Sequence, residues 1–173
     1  MQNDKNWYVL RTEAKKEDIL MRVLEKNNIS GAFSPKFEYY RRDDGQIHIK
    51  PLFPGYVLIK TEMDASLFTK KIKDIQFYSV YFQELKYEGN LSSLTAEEIT
   101  MLDRLLDKDH ILRMSYGTIM NGRLMITHGP LKGYDPYVIK VDRHNRLVTL
   151  NLYFLNQRWV VGMTVLDKMQ NDK

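Results

Sequence analysis

The chain reads as an α+β protein in two parts: an N-terminal antiparallel sheet flanked by helices, and an all-β C-terminal module. Three observations predict this. Trp7–Arg11 (WYVLR) is a run of aromatic and branched residues of strand type, and apolar residues then recur at Ile19, Leu20, Val23 and Leu24, which is helical spacing. From Gly122 onward, short apolar runs alternate with Gly-Pro or polar turns, and helical periodicity disappears. The charge divides at the same place: residues 1–116 carry 18 Lys/Arg and 18 Asp/Glu, whereas residues 117–173 carry 8 against 4 and supply the whole net charge of +4.

Taken in order, the first helix is expected from an N-cap at Thr12 to Lys26, ending at Asn27-Asn28. On it Lys15, Arg22 and Lys26 stand at i, i+7 and i+11, one cationic stripe beside the buried face. Lys36–Arg42 and Gln46–Lys50 flank Asp43-Asp44-Gly45, a hairpin turn whose glycine tolerates positive φ. Pro51-Leu52-Phe53-Pro54-Gly55-Tyr56 runs into the strand Val57–Lys60, which should begin after Pro54 because proline is confined to strand starts or edges. A short helix at Ala65–Lys71, a strand from Ile75 to Phe82 and a loop over Gly89–Ser93 follow. Thr95-Ala-Glu-Glu98 is a capping-box pattern that opens a helix through about Leu106. Asp107–Ser115 is charged and aperiodic, which predicts a linker.

In the second part the expected strands are Leu124–Thr127, Tyr137–Val141, one beginning at Arg146, Leu150–Leu155 and Arg158–Leu166. Between them lie a Gly129-Pro130 turn, a polar turn at Asp142–Asn145 and a hairpin turn at Asn156-Gln157. The density of Val, Ile, Thr and Tyr favours constitutive strands.

Composition narrows the chemistry. A chain of 173 residues accommodates one domain or two small ones. With no cysteine there is no disulfide framework, zinc–thiolate site or thiol nucleophile. No leader-like apolar core or bilayer-length run is seen, so the expected location is the cytoplasm, with no membrane partner. His48, His110, His128 and His144 are scattered, without metal-ligand spacing, and there is neither a Walker loop nor a nucleophile elbow. The expectation is therefore a protein that is not an enzyme and needs no cofactor or metal.

Several of these segments together carry a resemblance. WYVL near the start, an early amphipathic helix, PLFPGYVLIK in mid-sequence, the SLTAEEI helix start and GRLMITHGPLKGYDPYVIKVDRHNRLVTL resemble the NusG family of transcription factors, with an NGN domain followed by a KOW motif. The resemblance implies an NGN-like polymerase-binding domain over residues 5–106, a linker at 107–115, and a KOW domain at 116–168 folded as a five-stranded SH3-like barrel. Two departures set this chain apart from a housekeeping NusG. Ile75–Phe82 (IQFYSVYF) replaces a glycine-rich segment, and Pro136 stands where the second KOW turn has glycine, fixing φ and removing a donor. GPLKGY and KVDRHNRL are similar instead to specialised paralogs of the LoaP type, which act on particular long operons.

What the resemblance implies attaches to residues. RNA polymerase, through the clamp helices of its largest subunit, would be met by Trp7, Tyr8, Phe53 and Tyr56, apolar and aromatic side chains suited to a helical tip. A second polymerase contact falls on Ser66–Lys71. Nucleic acid, first of all a hairpin in nascent leader RNA and otherwise exposed DNA, has three candidate cation clusters. These are Arg11 with Lys15, Arg22 and Lys26; Arg41 and Arg42 with His48 and Lys50; and Lys132, Arg143, His144 and Arg146. Phe154 aligns with a family aromatic that contacts a ribosomal protein or the termination factor Rho. The expected protein is a monomeric, operon-specific elongation and antitermination factor. The alternatives are a general NusG factor coupling polymerase to Rho or the ribosome, and a ribosome-associated KOW protein, which would leave PLFPGY without a role.

Overall fold

A computed structural model describes residues 6–76, 82–85 and 94–166. They fall into two compact units that alternate along the chain: one runs to Pro35 and resumes over Phe53–Met101, and the other takes Lys36–Leu52 and everything from Leu102. The hairpin predicted at residues 36–50 therefore belongs with the C-terminal residues.

The first unit contains β1 (Asn6–Thr12), α1 (Glu17–Lys26), β2 (Ala32–Phe33), β5 (Tyr56–Thr61), α2 (Ala65–Gln76), β6 (Phe82–Leu85) and most of α3 (Ala96–Leu105). Its sheet has the order β2-β5-β1-β6, with β1 antiparallel to β5 and to β6. Trp7 to Leu10 are all buried, so both faces of β1 are covered. Tyr8 and Leu10 share a core with Leu20 and Leu24 of α1, Val57 and Ile59 of β5, and Phe68, Ile72 and Ile75 of α2. Each such side chain contributes roughly 1.5–3 kcal/mol by leaving water.

Three boundaries differ from expectation. Thr12 is the last residue of β1 rather than a helix cap, because its N–H donates to the Gly55 carbonyl at 2.8 Å. Helix α1 accordingly starts at Glu17, and Lys15 sits before it in the left-handed region at φ 72°. Helix α2 passes the expected end at Lys71 because Phe68, Ile72 and Ile75 continue one apolar stripe, so Ile75 is helical where a strand was expected. Residues 77–81 of that expected strand, and the loop expected at 89–93, lie outside the described residues. The capping box is present: Thr95 N–H donates to Glu98 Oε2 at 2.8 Å and Glu98 N–H to Thr95 Oγ1 at 3.2 Å.

The second unit holds two sheets. β3 (Lys36–Arg41), β4 (Gln46–Pro51) and β7 (Ile111–Leu112) are ordered β4-β3-β7. β8 (Ser115–Met120), β9 (Arg123–His128), β10 (Val138–Asp142), β11 (Leu147–Phe154) and β12 (Gln157–Val165) are ordered β10-β11-β12-β8-β9, with β12 parallel to β8. Buried Val148, Leu150, Phe154, Trp159, Val161 and Met163 form the inner side of the central pair. Positive φ at both central residues marks Asn121-Gly122 and Leu155-Asn156 as type I′ hairpin turns. The second lies one residue earlier than expected, because Phe154 pairs with Gln157. Pro136 occupies a 3-10 turn over Asp135–Tyr137.

The stretch Asp107–Ser115 is tightly bonded. The Asp107 carboxylate accepts the N–H groups of Asp109 and Ile111, both at 2.9 Å, and the Arg113 guanidinium at 2.5 Å. Arg113 also donates to Glu38 of β3 at 3.1 Å, and Glu38 accepts the Met114 N–H at 2.7 Å. Gly162 of β12 lies so close to the Glu38 carbonyl that a Cβ would stand 2.2 Å from that oxygen.

Candidate functional site

The residues expected to meet polymerase occupy the first unit, on β1 and on the turn that leads into β5. Phe53-Pro54-Gly55-Tyr56 has proline at the second position, glycine at φ 85° at the third, and a 3.2 Å hydrogen bond from Tyr56 N–H to the Phe53 carbonyl, the geometry of a type II turn. Only glycine fits there, since a Cβ would lie 2.8 Å from the Thr12 carbonyl oxygen. The turn is anchored by a residue the sequence did not single out: the buried Glu17 carboxylate accepts the Gly55 N–H at 2.5 Å. PLFPGY is thus held at both backbone groups of its glycine.

Phe53, which had been expected at the surface, is buried, as are Trp7 and Tyr8. Tyr56 is half-buried and presents more of its ring. Tyr8 points into the helix-covered core, stacks on Phe68 at 3.9 Å and 7°, and donates its hydroxyl to the Met63 carbonyl at 2.8 Å. Burial, with the negative charges of Asp64 and Glu84, raises its phenol above the ordinary value. Trp7 faces the other side of the sheet, edge-on to Phe33 at 5.8 Å, with Lys60 Nζ 4.9 Å from its ring centre. Ser66 and Lys70 of α2 are exposed, and Lys71 is half-buried.

The first cation cluster is looser than predicted. Arg11, Lys15, Arg22 and Lys26 are all exposed, but Lys15 is outside the helix and only Arg22 and Lys26 share a helical row. Asp18 and Glu25 are interspersed, and together with Arg22, Met21, Ile29 and Ala32 they line a groove of about 370 Å3.

In the hairpin, Arg41 pairs with Asp44 at 2.8 Å and His48 reaches the same carboxylate at 2.7 Å. Partial desolvation would raise the Asp44 carboxyl, but the Gln46 N–H, His48 and Arg41 outweigh it and hold the group below its ordinary value. Lys50 Nζ lies over the rings of Phe37 and Tyr39, at 5.1 and 4.4 Å. Arg42 is exposed.

The third cluster splits. Lys132, Arg143 and His144 are exposed. Arg146 is half-buried at φ 52°, with its guanidinium 3.8 Å above the Tyr40 ring. That cation ties two parts of the second unit together, a role sequence did not signal. In the same turn Asp142 accepts the Asn145 N–H and side-chain amide, which lower its carboxyl below the usual range. Phe154 is fully buried, whereas its neighbour Tyr153 is exposed under Arg158.

A family profile described as "Transcription termination factor nusG" matches residues 5–102, more than half of the chain. The chain belongs to the NusG family. Among solved structures, it is similar to that of Thermotoga maritima NusG, described for its domain interaction, with a TM-score of 0.52 and 16% identity over 92% of this chain and 93% of that one. A second similarity is to an MjSpt4:Spt5 complex in its conformation B, at TM-score 0.30 and 19% identity, covering 90% of this chain and 91% of that chain. No curated protein sequence matches significantly. The mixed α+β architecture is thus NusG-like, and the family is one of transcription factors that act by binding rather than by catalysis. Among the described residues no group of three or more His, Asp or Glu could hold a metal ion.

Proposed function

We propose that this NusG-family factor is operon-specific: it docks on RNA polymerase through the unit that carries Trp7, Tyr8, Phe53 and Tyr56, within an NGN-like domain read over residues 5–106, and is recruited by a nucleic-acid element, a leader RNA hairpin, to suppress pausing and termination. In this reading residues 107–115 connect that module to a KOW domain at 116–168, and the protein works in the cytoplasm as a monomer. The observation that carries the proposal is the exposed trio Lys132, Arg143 and His144, on the module that holds the whole charge excess of the chain. Arginine there can pair bidentately with phosphate or with a guanine edge, and lysine adds charge. Pro136, in its 3-10 turn, supports a KOW loop shaped differently from that of a housekeeping factor.

On the polymerase side, Tyr56 beside the rigid Pro54-Gly55 turn is the contact most open to a partner, whereas Trp7, Tyr8 and Phe53 are buried, with Trp7 and Tyr8 on opposite faces of β1. Family membership supports polymerase as the partner. The family profile's own description, a termination factor, favours a second reading: a general factor that couples polymerase to Rho or the ribosome.

Single-round transcription through an intrinsic terminator, with and without the leader of the candidate operon, separates the two. Leader-dependent read-through that falls at least roughly tenfold in the Lys132→Ala/Arg143→Ala variant supports the specific factor. Altered pausing on arbitrary templates, with no leader effect, establishes the general one.

A further inference from the structure

β9 and β10 are the outer strands of the five-stranded sheet, so among the described residues each is paired on one side only. Between them lies a groove of about 520 Å3, lined by Arg123, Leu124, Val138, Ile139, Lys140 and Val141 and bordered by Asp135. Two backbone features shape it. The β10 register with β11 shifts between Val138 and Lys140, a bulge that leaves Ile139 unpaired and 52% exposed. On the other wall the Ile126 N–H turns away from β8 and donates to the Asp135 carboxylate at 2.5 Å. Backbone groups two residues apart on a strand point to the same edge, so the N–H and C=O of Leu124 also face the groove.

Asp135 thus already does for Ile126 what the carbonyl of an added strand would do, and Leu124 offers the next main-chain pair along the edge. Arg123 and Lys140 are exposed at the rim, and the one carboxylate bordering the groove is engaged by Ile126. The other side chains are aliphatic, with no aromatic platform for stacking bases. We propose that this groove binds an extended acidic peptide by strand addition to β9, with its backbone on Leu124, its carboxylates on Arg123 and Lys140, and an aliphatic side chain against Ile139 and Val141. This goes beyond the polymerase and RNA contacts above and uses none of their residues.

The test uses the full chain and a fluorescein-labelled decapeptide of alternating glutamate and valine. Anisotropy should report binding. Amide signals of Arg123–Leu124 and Val138–Val141 should shift in NMR spectra, and exchange of the Leu124 amide should slow at least roughly tenfold at saturation. The double variant Arg123→Glu/Lys140→Glu should weaken binding roughly tenfold, since it turns two attractions into repulsions. Arg158→Glu, elsewhere on the same unit, should leave it unchanged. Absence of shifts in the groove overturns the proposal. So does tighter binding of a ten-nucleotide oligouridine at the same signals, which would make the groove a nucleic-acid site. Shifts driven by protein concentration alone would make it a contact between copies of this chain, and equally overturn it.

Discussion

Gly162 offers the sharpest test of how the second unit is built. Its φ is not positive, so alanine would be conformationally harmless there, and only packing opposes it. The added Cβ would stand 2.2 Å from the Glu38 carbonyl oxygen and 3.0 Å from Sδ and Cε of Met114. Carbon–oxygen contacts normally begin at about 3.3 Å, so the strands must part by about 1 Å. The methionine can rotate away, but the oxygen cannot. It belongs to β3, which is paired with β4, and the Glu38 side chain is tied to Arg113 and the Met114 N–H. Gly162→Ala should therefore cost about 2–3 kcal/mol, through overpacking and weakening of that network. Gly122→Ala is the matched control: nothing lies within 4 Å of its Cβ, but φ is 75°, so only the left-handed backbone is penalised, at about 1 kcal/mol. The chain has two tryptophans, Trp7 in the first unit and the buried Trp159 in the second. Urea unfolding followed by Trp159 fluorescence in a Trp7→Phe background reads the relevant unit. A Gly162→Ala stability within about 0.5 kcal/mol of the parent, or no lower than that of Gly122→Ala, would refute the reasoning.

Other perturbations follow from the same contacts. Glu17→Ala strands the buried Gly55 N–H and should destabilise the first unit by about 1–3 kcal/mol, read from Trp7 fluorescence in a Trp159→Phe background, with Glu17→Gln recovering part of the loss. Burial would raise the Asp107 carboxyl, but the Ile111 and Asp109 N–H groups and Arg113 hold it below the ordinary value. The unfolded chain therefore takes up this proton first on acidification. The contribution of Asp107 is complete above roughly pH 5 and disappears as pH falls through the lowered folded value. Asp107→Asn should flatten that acid limb in stability measurements between pH 2 and 6. Arg146→Lys replaces a planar cation stacked on Tyr40 with a point charge and should cost about 0.5–1 kcal/mol in the same Trp159 assay.

The features legible in the sequence were those fixed by neighbours in the chain. The capping box at Thr95 and Glu98 needs four residues, and the β3–β4 hairpin needs a glycine at its turn, which Gly45 supplies at φ 68°. Thr12 shows where local signals fail: as a cap candidate it was sound, but a backbone bond to Gly55, 43 residues on, keeps it in the sheet. The length of α2 was legible in the Phe68, Ile72 and Ile75 stripe, but the branched residues that follow suggested a strand too early. Site residues fared according to what their side chains needed. Lys132, Arg143 and His144 are exposed, as charged turn residues should be, whereas Arg146 found an aromatic ring more than 100 positions away. The edge groove depends on which strands finish unpaired, and no local pattern encodes that.

The hairpin also carries a cost in time. Glu38 leaves the ribosome 75 residues before Arg113, the side chain that fastens it. At roughly 5–20 residues per second, the strand waits about 4–15 s for its partner. During synthesis Phe37, Tyr39, Ile47 and Ile49 are therefore presented on a two-stranded ribbon that is marginal by itself. The charges around them, Arg41, Arg42, Asp43, Asp44 and Lys50, would act in those seconds as a guard against premature strand pairing between nascent chains.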